Sequence, residues 1–389
     1  MGQGADIGAR PSERLTWALC VSTCDRPDML ELCVRHALGS TRMPSEIVIC
    51  DASAGWEGHH ARIAPLAEAA GVPLHYLPAP KKSLPAQRNH AIGAARADIL
   101  FLIDDDAFLH PDCAEVIMQV YETDRDRRIA AVSASDGPLP EATPLAGGKG
   151  GASRAPLTER LLRSSFLMRF LWTEVLLMSA ERMFIPYDGT WHKPTEEEVA
   201  AYSSSALFPV SLISGYRLTV RRSIALDEPF DGDLLAYASA EDLDATYRFS
   251  RHGWNVVAVE GRIYHHEALP GRLKRQQSSR LSVLNIAFFL RKHAGRPLRR
   301  SVDFGVMVAR RLLAEVLKDG LSRRWLFPQL RGVAAAIPDS IRILLHDRAT
   351  LAPFYDSIQR KVLGLPPAAA TLTARARSVP PRSDFTPRA

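Results

Sequence analysis

Five short apolar runs recur between residues 16 and 133, each separated from the next by a stretch with helical spacing. The runs cover residues 16–22, 46–51, 74–77, 99–103 and 129–133. The spacing predicts helices over 27–38, 58–70, 85–96 and 111–121, three of them with proline in the first turn. Strand and helix alternating in this way leave few folds open, and the expected one is an open, mostly parallel sheet flanked by helices. Ligands of such sheets sit at the carboxyl ends of the strands, so the residues that follow each run are the first to read for function.

At 46% apolar residues, the 389-residue chain can bury a sizeable core. No apolar stretch reaches the ~20 residues of a spanning helix, because residues 166–178 are broken by Arg169 and Glu174 and residues 283–290 are too few. The start lacks a basic head followed by an apolar core, so a cytoplasmic location is expected. Five cysteines, Cys20, Cys24, Cys33, Cys50 and Cys113, are odd in number and form no CxxC pair; they read as reduced thiols. Charge is unevenly divided, with 26 Lys/Arg against 36 Asp/Glu up to Pro270 and 23 against 7 from Gly271 onward.

The most specific local signal is Phe101-Leu102-Ile103-Asp104-Asp105-Asp106, three adjacent carboxylates directly after a buried strand. Their repulsion is costly unless cations or hydrogen-bond donors offset it, and Mg²⁺ or Mn²⁺ is the natural partner. A solvated acidic turn ahead of Pro111 is the plainer alternative. Other strand ends add polar groups at the same sheet edge. The first run leads into Ser22-Thr23-Cys24-Asp25-Arg26-Pro27, the second into Asp51-Ala52-Ser53, and the third helix carries Gln87-Arg88-Asn89. Further on stand Ser214-Gly215-Tyr216-Arg217 with Arg221-Arg222, then Phe230-Asp231, Glu241-Asp242-Leu243-Asp244 and a late His265-His266 pair.

In this order and spacing the motifs resemble those of the family 2 glycosyltransferases of the GT-A fold, over roughly residues 15 to 290. The resemblance implies a GT-A type, Rossmann-like α/β sheet and a nucleotide-diphosphate sugar donor. The acceptor it implies is a glycan, a lipid-linked molecule or a small molecule. Asp106 and His265 would bind Mg²⁺ or Mn²⁺, with His266 in reserve. Asp105 would face the ribose and Asp104 would support the loop. Asp51 would accept from the base, with Thr23, Arg26 and Arg88 on the nucleotide. Asp242 would be the general base, Glu241 would shape the acceptor pocket, and Ser214–Arg222 would match the acceptor segment. One base and one displacement imply inversion. Cys24 and Gln87 depart from the family pattern, where an aromatic and an alanine are usual.

Residues 15–135 are then expected to form the nucleotide-sugar half and 207–270 the acceptor half. Residues 136–206 are an insertion over the site, containing a helical run over 157–183. Residues 271–365 form a helical basic extension, and 366–389 a disordered tail. Within the extension Val302, Val306, Leu313 and Leu317 recur at helical spacing beside Arg310 and Arg311, followed by Arg323, Arg324 and Trp325. This stripe either packs on the catalytic domain or lies on an anionic membrane surface at the inner face. Nucleic acid is not an expected partner, since the basic region lacks interleaved aromatics. The alternatives are a sugar nucleotidyltransferase, which usually has a glycine-rich phosphate loop after the first strand, and an inactive nucleotide-binding module.

Overall fold

The computed structural model describes residues 14–141, 143, 165–176, 178–200, 206–266, 273–295 and 297–368. Nine strands form one mixed sheet in the order β3-β2-β1-β4-β8-β6-β9-β5, with β7 on β9. Strands β1 (Trp17–Thr23), β2 (Glu46–Asp51) and β4 (Ile99–Asp104) are central and parallel, covered on both faces, which is why each reads as an unbroken apolar run. β3 (Leu74–Pro78) continues the parallel set at one edge. Alternation divides the strands between two cores: Trp17, Leu19 and Val21 pack on one face, and Ala18 and Cys20 on the other.

Helices α1 (Pro27–Leu38), α2 (Trp56–Ala69), α3 (Leu84–Ala94) and α4 (Cys113–Thr123) fill the crossovers. All five cysteines are free thiols. β5 (Ala107–Leu109), which carries no sequence signal of its own, follows β4 and leads into α4; β6 (Ile129–Asp136) comes after α4. Between them and β7 (Leu207–Pro209) lie α5 (Phe166–Phe170), a π turn (Leu171–Val175), α6 (Ala180–Met183) and α7 (Glu196–Ala200). The first part of the expected helical run, 157–164, lies outside the described residues, as do residues 369–389 of the expected tail.

Residues 212–220, whose apolar pattern predicts an extended segment, form a strand only at their end. One 3₁₀ turn (Gly215–Arg217) precedes β8 (Leu218–Arg221), which runs antiparallel to β4. After α8 (Arg222–Asp227) and α9 (Glu241–Phe249), the apolar runs 256–259 and 263–265, which the sequence pattern predicts as two strands, form a single strand, β9 (Trp254–His265). Its pairing with β6 slips register between Ala134 and Ser135, so its far end swings onto β5 with Ala107 opposite His265.

Four helices follow: α10 (Arg275–His293), α11 (Pro297–Leu321), α12 (Pro328–Leu345) and α13 (Leu351–Leu363). No helix among the described residues is long and apolar enough to cross a membrane. α10 is apolar on nearly every side from Leu281 to Leu290 and is the hub of a third core. α12 crosses it at Gly332, where an added Cβ would stand 2.5 Å from the Gln276 carbonyl oxygen and 3.0 Å from the Ser279 Cβ. Gly332→Ala is therefore expected to cost about 1–3 kcal/mol through overpacking, seen as a lower midpoint in denaturant with an unchanged slope.

Candidate active site

Two adjoining clefts open at the carboxyl ends of β1, β2 and β4. The larger, of about 540 Å³, is lined by the β1 turn, Ala52, Lys82, Asp104, Asp106 and Leu273. The smaller, of about 320 Å³, is lined by Arg88, Ser214, Gly215, Tyr216, Glu241 and Asp242. They share Leu84, Asp104, Tyr237 and His265 as a common wall.

Backbone alternation divides the three aspartates. Asp104 and Asp106 converge with His265, their ligand atoms within 4.8 Å of one another. The His265 ring nitrogen stands 3.3 Å from an Asp106 oxygen. The β5–β9 pairing brings His265 there, while His266 donates its backbone N–H to the Asp106 carbonyl and its ring lies beside Phe108. Tyr216 stacks on His265 at 4.2 Å between ring centres and donates its hydroxyl to Asp136 at 2.5 Å.

Asp105 does not turn toward the cleft as expected for a ribose contact. Its side chain is fully buried, accepts from the Thr23 hydroxyl at 2.7 Å and lies 3.0 Å from Arg26. Burial pushes its carboxyl up to about 7, against the opposing pull of Arg26 and the Thr23 hydroxyl. The Thr23 hydroxyl is accordingly spent on Asp105. Arg26 reaches Asp106 as well, at 3.0 Å, and so neutralises two of the three carboxylates while remaining partly exposed in the larger cleft.

Asp51, expected on the nucleotide base, is likewise occupied. One oxygen accepts from the backbone and hydroxyl of Ser53, and the other faces His59 at 2.8 Å and accepts from the Tyr76 hydroxyl at 2.7 Å. Its side chain is fully buried, so it holds the loop instead of presenting an acceptor. Ser53 passes the constraint on by accepting from the backbone N–H of Asp25, which sits at φ 55 in the left-handed region. Gln87, the departure from alanine, donates to the carbonyls of Thr23 and Cys50 and ties the ends of β1 and β2 together. No residue-pattern signal marks this stitching role.

Arg88 joins the two clefts. Buried to 3% exposure, it pairs with Asp104 at 2.9 Å and Glu241 at 2.8 Å. Burial works against its charge, but Glu241, Asp104 and Asp242 outweigh that and raise its pKa. Arg88, expected on the nucleotide, thus bridges Asp104 in the common wall to Glu241. Glu241 is also buried, and desolvation drives its carboxyl well above the usual range despite Arg88. Gly215 is required by close approach, because an added Cβ would meet the Arg88 guanidinium at 2.5 Å. Gly215→Ala should displace Arg88 and lower turnover by on the order of 10², with little change in thermal melting. Steady-state kinetics beside a melting curve checks this, and undiminished turnover would show that the bridge positions nothing.

Asp242, at the first turn of α9, is half-buried in the smaller cleft and accepts from the backbone N–H of Gly215 at 2.8 Å and of Leu243 at 2.9 Å. Burial raises its pKa, opposed by Arg88 and these two N–H groups and assisted by Asp104. Each oxygen keeps a lone pair for a further donor. The loop ahead of it is braced by the carboxy-terminal helices: Lys292 pairs with Asp231 and Asp233, Asn285 donates to the Ser239 carbonyl, and Gln359 bonds Asp233 and Leu235. Ala236 and Ala240 in this loop hold left-handed φ of 55 and 69 and flank Tyr237, which stands 58% exposed in the common wall. By contrast, the Arg221-Arg222 pair of the expected acceptor segment lies elsewhere. Arg221 is buried against Asp124 and the Ile129 carbonyl, and Arg222 donates to the Ala95 carbonyl, so both brace the sheet.

Comparison with known families settles the class. The description "Glycosyl transferase family 2" matches residues 18–145, which span β1 through β6 and contain the three aspartates. Residues 18–145 belong to glycosyl transferase family 2. The match is to a family of glycosyltransferases and covers the half of the sheet that ends in the three aspartates. No curated protein matches the chain. Solved structures similar to the chain include S. aureus TarS 1–349, at 12% identity and TM-score 0.45, covering 90% of this chain and 92% of that one. Another is the mannosyltransferase PcManGT from Pyrobaculum calidifontis in complex with GDP-Man and Mn²⁺, at 15% identity and TM-score 0.44, covering 93% and 88%. GalNAc-T7 with UDP, GalNAc and Mn²⁺ is similar at 14% identity and TM-score 0.48, covering 72% of this chain and 48% of that one.

Proposed function

We propose that the enzyme transfers a sugar from a nucleoside-diphosphate sugar to an acceptor hydroxyl, inverting the anomeric centre, with Asp242 as general base. The observation that carries the reading is the meeting of two clefts at one wall, with the Asp104–Asp106–His265 cluster at that wall and Asp242 in the smaller cleft beside it.

The cluster fits a hard divalent cation, since two carboxylate oxygens and one ring nitrogen converge, and the imidazole favours Mn²⁺ over Mg²⁺. When bound, such a cation supplies positive charge against the diphosphate leaving group. Asp104 thereby joins Asp106 and His265 as a proposed ligand, while Asp105 and Thr23 seat Arg26 beneath them. The diphosphate would lie along the β1 turn and Arg26. Its base would meet Cys24, Ala52 and Lys82 instead of the occupied Asp51.

On the acceptor side Tyr216 and Tyr237 wall the smaller cleft, and the incoming hydroxyl would donate to Asp242. Asp242 takes that proton as the oxygen attacks, and a lifted pKa suits the task because it makes the carboxylate a stronger base, closer in proton affinity to the hydroxyl it deprotonates. Glu241 is held by Arg88 and is not a second nucleophile, so the displacement occurs once and inverts. The test is incubation of the full chain with a panel of nucleoside-diphosphate sugars, Mn²⁺ and mixed acceptors, followed by NMR of the product's anomeric configuration. Inversion relative to the donor supports the reading, and retention overturns it.

A further inference from the structure

Helix α11 has two apolar stripes, and only one of them is used inside the protein. Phe304, Met307, Val308 and Ala314 pack on the carboxy-terminal core, together with Arg311, which is buried and bonds Ser282. The other stripe, Val302, Val306, Leu313, Val316 and Leu317, faces solvent, with Val302 67% and Leu313 62% exposed. The stripe singled out in the sequence is therefore the outer one, and Arg311 does not belong to its basic flank. α12 likewise turns Ile341 and Leu345 outward.

The turn between α11 and α12 follows at the end of that helix. It leaves Trp325 and Leu326 71% and 79% exposed, an adjacent pair of large apolar side chains in water. The turn is nevertheless tightly built. Arg323 and Phe327 hold left-handed φ of 53 and 45, a costly conformation for non-glycine residues. The fully buried Asp319 accepts from the backbone N–H groups of Gln329 and Leu330, and Arg324 bonds Gln329. The chain thus spends backbone strain and a buried carboxylate to present an aromatic and a leucine to solvent.

The same two helices and their turn are rich in arginine. Arg299, Arg310, Arg323 and Arg331 make no ion pair with a carboxylate among the described residues, and the region from Gly271 onward carries 23 Lys/Arg against 7 Asp/Glu. A second copy docked face to face would set these arginines against their equivalents. Residues 369–389 carry four arginines against one aspartate and would meet the same repulsion. An anionic lipid surface complements both features, accepting apolar side chains at its acyl boundary and arginines among its headgroups.

We propose that the outer face of α11 and the Trp325–Leu326 turn dock the enzyme on an anionic lipid bilayer. The docking is peripheral and independent of the sugar-transfer reading.

The experiment is sedimentation of the full chain with phosphatidylcholine vesicles, with and without phosphatidylglycerol, at low and high salt. Binding to the phosphatidylglycerol vesicles is expected to exceed binding to neutral ones by at least about tenfold and to weaken with salt. Trp325→Ser with Leu326→Ser should lower that binding about tenfold while melting temperature and nucleotide binding stay as in the parent. Val302→Ser with Leu313→Ser gives a second, independent loss on the helix face. Absence from both pellets, or equal binding by the parent and both double variants, overturns the proposal. So does light scattering that shows a dimer dissolved by the same substitutions, since the occupant would then be a second copy.

Discussion

Asp242→Asn should lower turnover by roughly 10² to 10⁴ while leaving nucleoside-diphosphate affinity nearly unchanged. The exchange keeps the shape of the side chain and one oxygen for the Gly215 N–H, so the smaller cleft retains its form. What is lost is the proposed acceptor of the hydroxyl proton. Asp242 shares the smaller cleft with Asp104 and His265 but is not one of the three groups whose ligand atoms converge, and its own hydrogen bonds are to Gly215 and Leu243, so donor binding is expected to change little. The pH profile gives a second readout. Burial raises the Asp242 pKa, so the carboxylate form, which is the active one, fills at a higher pH than for an ordinary aspartate. Activity should rise with pH through that value, and the limb should vanish in the Asn variant. Parallel loss of turnover and nucleotide affinity would instead make Asp242 a donor-site or folding residue.

The central sheet was legible because burial on both faces leaves no polar alternation: β1, β2 and β4 are continuous apolar runs with polar residues crowded at their ends. β5 was not legible. Three residues after an acidic triplet have no pattern of their own and become a strand only through β9, whose register slip is a tertiary event. Yet that pairing is what delivers His265 to Asp106. The roles within the site blurred for a related reason. A motif marks which side chains gather at a sheet edge, whereas the direction of each depends on alternation and on competing donors. Thus Asp104 and Asp106 face one way and Asp105 the other, and Ser53, His59 and Tyr76 claim both oxygens of Asp51. The same limit explains α11. Periodicity revealed an apolar stripe at Val302, Val306, Leu313 and Leu317, but a helix with two such stripes does not declare which one its neighbours will cover.

The carboxy-terminal helices matter to the site although they lie beyond the matched segment. Lys292, Asn285 and Gln359 hold the loop from Asp231 to Ser239, and that loop presents Tyr237 and leads into Glu241 and Asp242. Left-handed Ala236 and Ala240 would relax if the brace were lost, because nothing local favours that backbone for alanine. The proposed base, Asp242, is therefore positioned from two sides, by Gly215 in the sheet half and by α10 and α13 behind the loop.

Chelation of divalent cations should weaken nucleoside-diphosphate binding to the full chain by about 10²-fold. In the chelated protein the phosphates would approach Asp104 and Asp106, and one like-charge contact at about 4 Å costs about 4 kcal/mol at an effective dielectric of 20. Arg26 offsets part of this, since it already pairs with Asp105 and Asp106. Asp106→Asn separates the two influences by sign. It removes a proposed cation ligand, so affinity measured with Mn²⁺ should fall. It also removes one repelling charge and releases an arm of Arg26, so affinity measured in chelator should rise. His265→Ala removes a ligand without removing negative charge, and should lower the Mn²⁺ value alone. Titration calorimetry with a nucleoside diphosphate, with Mn²⁺ and with chelator, reads all of these without turnover. Equal affinity in the two conditions for the parent chain would remove Asp104, Asp106 and His265 from the proposed cation site.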